Sequence, residues 1–193
     1  CISIFVYLMQ AVWGSHVLSI DTSVYNFITK HFISDSLTPI LKVITQFGGT
    51  ILMIVWAIAS LVLITNKRIS VSVVSNLVLI ALLNNILKLI VRRARPTGFR
   101  LIEETGYSFP SGHSMVSMAF YGYLIYLIHK NIKNKKLRWT LMTGFGLLIF
   151  IIGMSRIYLG VHYTSDVFAG FLFSLGYLVV YIKMTDPIVF QKK

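Results

Sequence analysis

The chain has 193 residues, 56% of them hydrophobic and 12% charged, with mean hydropathy +0.77 and a formal net charge of +12. A soluble globular domain would carry roughly 25% charged residues, so the composition excludes one and predicts a single membrane-embedded domain over residues 1–193. It also argues against a nucleic-acid partner, because the lysines and arginines have no soluble fold to carry them. They are expected in cytoplasmic loops and around anionic lipid or phosphate.

A helix needs roughly 17–25 apolar residues to cross a bilayer, and six segments qualify as candidates. The first runs from Ile2 to about Val12, extending toward Ile20. It is short, so its start is expected to lie upstream of Cys1. Because the sequence opens on cysteine, residues before it are expected to have been removed. No signal peptide is expected, since a basic leading region and a small-residue cleavage site are missing. The lone Cys1 cannot form an internal disulfide.

The stretch Asp21 to Phe47 has a different character. Asp21-Thr-Ser-Val begins like a capped helix, and Val24, Phe27, Ile28 and Phe32 recur at helical spacing. It predicts an amphipathic helix at the membrane interface. The remaining spans are expected at about Gly48–Thr65, Val71–Val91, Gly112–His129, Leu137–Met154 and Tyr163–Ile182. The predicted fold is therefore all-α and integral to the membrane, with six transmembrane helices and an amphipathic interfacial segment between the first two.

The loops Asn66-Lys67-Arg68 and His129 to Arg138, with Lys192 and Lys193 at the end, carry no acidic residue and fall on one side. That side is predicted to be cytoplasmic. Counting spans also places three polar stretches together on the opposite, extracytoplasmic side. These are Lys88 to Pro96, Pro110-Ser111-Gly112-His113, and Ser155-Arg156 through His162 to Asp166.

Their residue types suit one task, holding a phosphate and attacking it. Lys88 is costly inside a helix unless it snorkels or meets an anion. Pro96 disfavours helix at Arg95, so the helix should end before that residue and let Arg95 fold back beside Lys88. Ser111 is a good N-cap, and the free N–H groups of a helix start bind phosphate. Gly112 lets a ligand approach the backbone closely. His162 and Asp166 are one helical turn apart, so a carboxylate there can fix the imidazole tautomer. Arg156 presents a planar fork to phosphate oxygens. Two histidines and an aspartate could instead hold zinc, but three neighbouring cations would repel a divalent metal.

Other polar residues have plainer expectations. His16, His31 and His129 read as interface or loop histidines. Glu103 and Glu104 read as solvated loop charges, with steadying an arginine or selecting a substrate as the alternatives. Tyr107 and Phe109 line an entrance or anchor the loop, and Asn84 and Asn85 hydrogen-bond between helices.

The three stretches resemble the signature of the type 2 phosphatidic acid phosphatase superfamily: Lys-x6-Arg-Pro, Pro-Ser-Gly-His and Ser-Arg-x5-His-x3-Asp. Every fixed position is met, by Lys88, Arg95 and Pro96, by Pro110 to His113, and by Ser155, Arg156, His162 and Asp166. Within that family the chain looks most like the small bacterial phosphatidylglycerophosphate phosphatase B type. The resemblance implies a lipid phosphate phosphatase of the bacterial plasma membrane, with no metal, no cofactor and no obligate protein partner. It implies that His162 is the nucleophile, Asp166 orients it, and His113 is the acid and then the base. Lys88, Arg95, Ser111, Gly112 and Arg156 would bind the phosphate. Implied substrates are phosphatidylglycerophosphate, phosphatidic acid and undecaprenyl pyrophosphate. A lipid-phosphate transporter and a haloperoxidase are the rival classes, and neither accounts for the membrane spans and the two histidines together.

Overall fold

The computed structural model describes residues 2–15 and 17–190. His16, Lys192 and Lys193 lie outside them. The described chain contains eight helices and no strand: α1 (Ile2–Ser15), α2 (Ser19–His31), α3 (Leu37–Gln46), α4 (Thr50–Leu63), α5 (Lys67–Val91), α6 (Gly112–Asn131), α7 (Lys135–Tyr158) and α8 (Thr164–Val189).

Each predicted apolar segment is helical, with altered ends. The segment expected near Gly48–Thr65 shortens to α4, because Gly49 has extended backbone and caps the helix. At about 1.5 Å per residue, α4 alone falls short of the roughly 30 Å hydrocarbon layer. Three helices are long and apolar enough to cross a membrane, namely α5, α7 and α8. The pair α3–α4, bent by 44°, makes a fourth if it is one span. The expected interfacial segment is two helices, α2 and α3, rather than one. Asp21 is not the N-cap of α2: the helix starts at Ser19, and the Asp21 carboxylate accepts the Leu18 N–H at 3.1 Å.

Helix α6 is the centre of the bundle and packs against α5, α7 and α8. It is less apolar than its neighbours because serines and tyrosines occupy its buried faces. Buried hydroxyls and amides of α5, α6 and α8 bond between these helices, as membrane bundles do when no water is present. Tyr123 Oη meets Ser72 Oγ at 2.9 Å, Tyr181 Oη donates to the Ser72 carbonyl at 2.6 Å, and Asn76 Nδ2 donates to the Ala119 carbonyl at 2.8 Å. Outward faces are strongly apolar, with Ile51 and Leu63 both 76% exposed. Such a surface is stable against lipid tails and not against water.

The two ends of the bundle differ in kind. At one end Arg68 donates to the Ile188 carbonyl at 3.4 Å and Lys130 pairs with Asp186 at 3.1 Å, so both basic loops gather around the C-terminal end of α8. At the other end the exit of α5, the start of α6, the last turn of α7 and the start of α8 come together.

Candidate active site

Helix α5 ends at Val91, where Arg92 takes a left-handed conformation with φ 51°. The chain then runs as an irregular connection carrying Arg93, Arg95, Glu104 and Ser108 back to the start of α6. Ser155 and Arg156 do not follow a helix, as the sequence had implied. They form part of the last turn of α7, where a cation meets the negative end of the helix dipole. The turn after α7 depends on Gly160, whose φ is +72° and where a Cβ would stand 2.2 Å from the Phe99 carbonyl oxygen. That close approach lets the Leu101 N–H reach the Leu159 carbonyl at 3.0 Å and fixes the segment leading to His162.

A cavity of about 430 Å³ opens between α4, α5 and α6. Lys88, Arg95, Gly112, His113 and His162 all line it, together with Asn85 and Glu104. Its deeper wall is apolar and includes Met53, Ile54, Ala57, Leu77 and Ala81. At Gly112 a Cβ would come within 3.0 Å of Asn84 Oδ1, so any side chain would disturb that wall. Asn84 itself ties α5 to the Pro-Ser-Gly-His turn by donating to the Pro110 carbonyl at 3.3 Å.

Ser111, Arg156 and Asp166 stand behind the lining. The Ser111 hydroxyl caps α6, accepting from Ser114 N–H at 3.4 Å and from Ser114 Oγ at 3.0 Å. Arg156 is 1% exposed and donates through Nη1 to Thr45 Oγ1 at 2.9 Å and through Nη2 to Glu104. Its Nε has no partner.

His162 sits between opposing groups. Its Nδ1 lies 3.4 Å from Asp166 Oδ2, and its Nε2 lies 3.2 Å from Arg95 Nη1. A guanidinium only donates, so Nε2 accepts and the ring proton resides on Nδ1, facing the carboxylate. Burial pulls the imidazole from 6.5 down to about 4, while Asp166 pushes the other way without winning. At neutral pH the pair is therefore a hydrogen bond from a neutral ring. The Nε2 lone pair points to where an anion held by Arg95 would lie.

Two features escaped the sequence reading, Ser108 and Arg93, and for Glu104 the alternative of steadying an arginine holds. Ser108 donates to Asp166 Oδ2, and its Oγ also stands 3.4 Å from His162 Nδ1. Arg93, 2% exposed, donates through Nη1 to Asp166 Oδ1 and lies over the Tyr163 ring at 4.0 Å. The basic cluster Arg92-Arg93 was visible in sequence, but nothing local separates an exposed arginine from a buried one. Glu104 is not a solvated loop charge. Burial would raise its carboxyl, but Arg156 beside it and Arg95 hold it below the usual range. Glu103 is exposed, as expected. Phe109 is fully buried and stacks on Phe5 with centroids 6.0 Å apart, so it belongs to the core and not to an entrance.

The chain is similar to known membrane phosphatases. Over a matched stretch of 105 residues the chain is 39% identical to phosphatidylglycerophosphatase B of Bacillus subtilis (strain 168), covering 52% of this chain and 49% of that protein. The match thus spans about half the length of that relative. Undecaprenyl-diphosphatase of Sulfolobus acidocaldarius is 26% identical over 93% of this chain and 86% of its own length. The crystal structure of a transmembrane PAP2 type phosphatidylglycerolphosphate phosphatase from Bacillus subtilis has the same fold, with TM-score 0.86 and 24% identity over 99% of this chain and 96% of that one. The model of the PAP2 superfamily matches residues 69–189, which takes in all three polar stretches, and this membrane protein belongs to that superfamily.

Proposed function

We propose that the protein is a metal-independent lipid phosphate phosphatase that works through a phosphohistidine at His162. One observation carries the reading. A single cavity joins a cationic, two-histidine end to an apolar wall provided by α4 and α5. A phosphate ester with hydrocarbon chains matches both halves of that cavity; a free sugar phosphate matches only one.

In this mechanism Lys88, Arg95 and the Gly112 N–H draw in the phosphate, with Arg156 and Ser111 completing the cradle once Glu104 yields its guanidinium. Nε2 of His162 attacks phosphorus, and the P–O bond to the lipid breaks. His113 gives its proton to the departing lipid oxygen. Water then attacks the phosphohistidine, His113 takes a proton from it, and orthophosphate leaves. Asp166 holds Nδ1–H throughout and stabilises the charged ring as the bond to phosphorus forms.

The substrates in this reading are phosphatidylglycerophosphate, phosphatidic acid and undecaprenyl pyrophosphate, the first and last by analogy with the named relatives. In this reading the site faces the extracytoplasmic side of a plasma membrane, with the basic loops in the cytoplasm. Helices α2 and α3 would then lie near the interface, where Phe27 and Phe32, 55% and 51% exposed, would meet lipid.

The test is orthophosphate release from these lipids in detergent micelles, followed by trapping of an alkali-stable, acid-labile phosphoenzyme. His162→Ala should lose turnover by about a thousandfold or more, as removal of an attacking residue does elsewhere. Near-normal release from the variant would overturn the mechanism. No release from any lipid phosphate by the native protein would overturn the function.

A further inference from the structure

Asp21 belongs to α2, outside the three stretches that build the site, yet it is 1% exposed. Its Oδ2 accepts from the Leu18 N–H at 3.1 Å, from Arg93 Nη2 at 2.8 Å and from Ser165 Oγ at 2.9 Å. Its Oδ1 accepts from the Ser165 N–H at 2.7 Å. Both oxygens are thereby committed, and the carboxylate ties α2 to the start of α8.

The other hand of the same guanidinium is on the nucleophile's partner. Arg93 Nη1 donates to Asp166 Oδ1 and, at 2.8 Å, to Ser165 Oγ. One rigid fork therefore spans two carboxylates. The two acids are also equivalent within their helices. Each accepts an N–H from the residue just before its helix, Leu18 for Asp21 and Tyr163, at 2.9 Å, for Asp166. A guanidinium that served only to neutralise Asp166 would need no second carboxylate, and burying one is costly.

We propose that Asp21 is a positioning residue for the nucleophile. Through Arg93 it holds the Asp166 carboxylate in the rotamer that receives Nδ1–H of His162, and it takes up part of the guanidinium's charge so that Asp166 keeps its pull on the imidazole. The seat of α2 on the bundle is thereby coupled to the attacking ring. This inference rests on His162 being the nucleophile.

Asp21→Asn keeps the shape and removes the charge. Expected is a fall in kcat of about tenfold to a hundredfold, the range seen when an outer partner of a functional histidine is lost, with KM unchanged. The acid limb of kcat/KM should also move to lower pH, because the whole charge of Arg93 then falls on Asp166. The other ionisable groups around His162 stay as they were: Lys88 on α5, His113 on α6, Arg156 on α7, and Arg95 and Glu104 on the connection. In an Arg93→Gln background Asp21→Asn should shift the limb no further. A merely structural role would lower the fraction of active enzyme, counted by the phosphoenzyme burst, and leave the limb in place.

If Asp21→Asn does not fold, Arg93→Lys gives the same reading, since an ammonium lacks the rigid planar fork that spans both carboxylates. It should lower kcat without changing KM. Wild-type kcat and an unmoved limb in either folded variant overturn the proposal. An inactive His162→Ala beside fully active Asp21→Asn and Arg93→Lys would reject the positioning role alone. An active His162→Ala would reject the nucleophile, and this role with it.

Discussion

Arg95 donates through Nη1 to Nε2 of His162 at 3.2 Å, so the lone pair assigned to attack is held by a guanidinium N–H. The other hydrogen bonds of Arg95 go to backbone carbonyls: Nη1 to Val161 at 3.0 Å, Nε to Thr105 and Gly106 at 3.2 and 3.1 Å, and Nη2 to Thr105 at 2.9 Å. The guanidinium is anchored by the loop, and an incoming phosphate must turn Nη1 away from the ring toward its own oxygens. Arg95→Lys keeps the charge and loses this fork. It should raise KM and lower kcat, each by about tenfold, in steady-state release of orthophosphate.

In the proposed mechanism attack needs the neutral His162 ring, so its ionisation would set the acid limit of the reaction. Burial lowers the imidazole from 6.5 to about 4, so the neutral form persists well below pH 6.5 and is lost as pH falls through about 4. After correction for the second ionisation of the substrate phosphate near pH 6, kcat/KM should hold level to about pH 5 and fall below it. A limb at an ordinary histidine value would show that the ring is hydrated in the working enzyme.

Glu104 holds Arg156 Nη2 directly and stands 3.9 Å from Arg95 Nη2. A carboxylate there occupies the charge that a phosphate oxygen would claim. Glu104→Gln should lower the inhibition constant of orthophosphate several-fold, measured by competition in the micelle assay. Weaker inhibition by phosphate would mean that Glu104 serves chiefly to aim Arg156.

Removing the Arg93 guanidinium leaves two buried carboxylates without their cation. Arg93→Met should cost about 3–5 kcal/mol of stability, the range for breaking a buried ion pair from one side. Thermal unfolding in detergent would report this as a lowered Tm. Arg100→Met provides the contrast, because Arg100 Nε donates to the Pro96 backbone carbonyl, at 2.6 Å, rather than to a carboxylate.

The proposed chemistry is carried by imidazoles, guanidiniums and an ammonium. Prolonged treatment with EDTA should leave turnover unchanged. Activity lost on chelation and restored by zinc would redirect the mechanism to metal-assisted hydrolysis.

The helical class, the approximate positions of the apolar segments and the meeting of the polar stretches were all legible from the residues alone. Apolar run length and the count of reversals carry that information, and both are local or arithmetic. The placement of Lys88, Arg95, Gly112, His113 and His162 around one cavity followed from them. Only the tertiary structure decided what each charged group touches. Asp21 and Glu103 look alike in sequence, yet one is sealed against Arg93 and Ser165 while the other is exposed. The same holds for Phe109, packed on Phe5 from a helix distant in sequence. Burial is a property of what lies across from a residue, and a buried carboxylate is tolerated only where another element brings it a cation and donors. Those partners come from α2, the connection after α5 and the start of α8, and no local pattern announces their meeting.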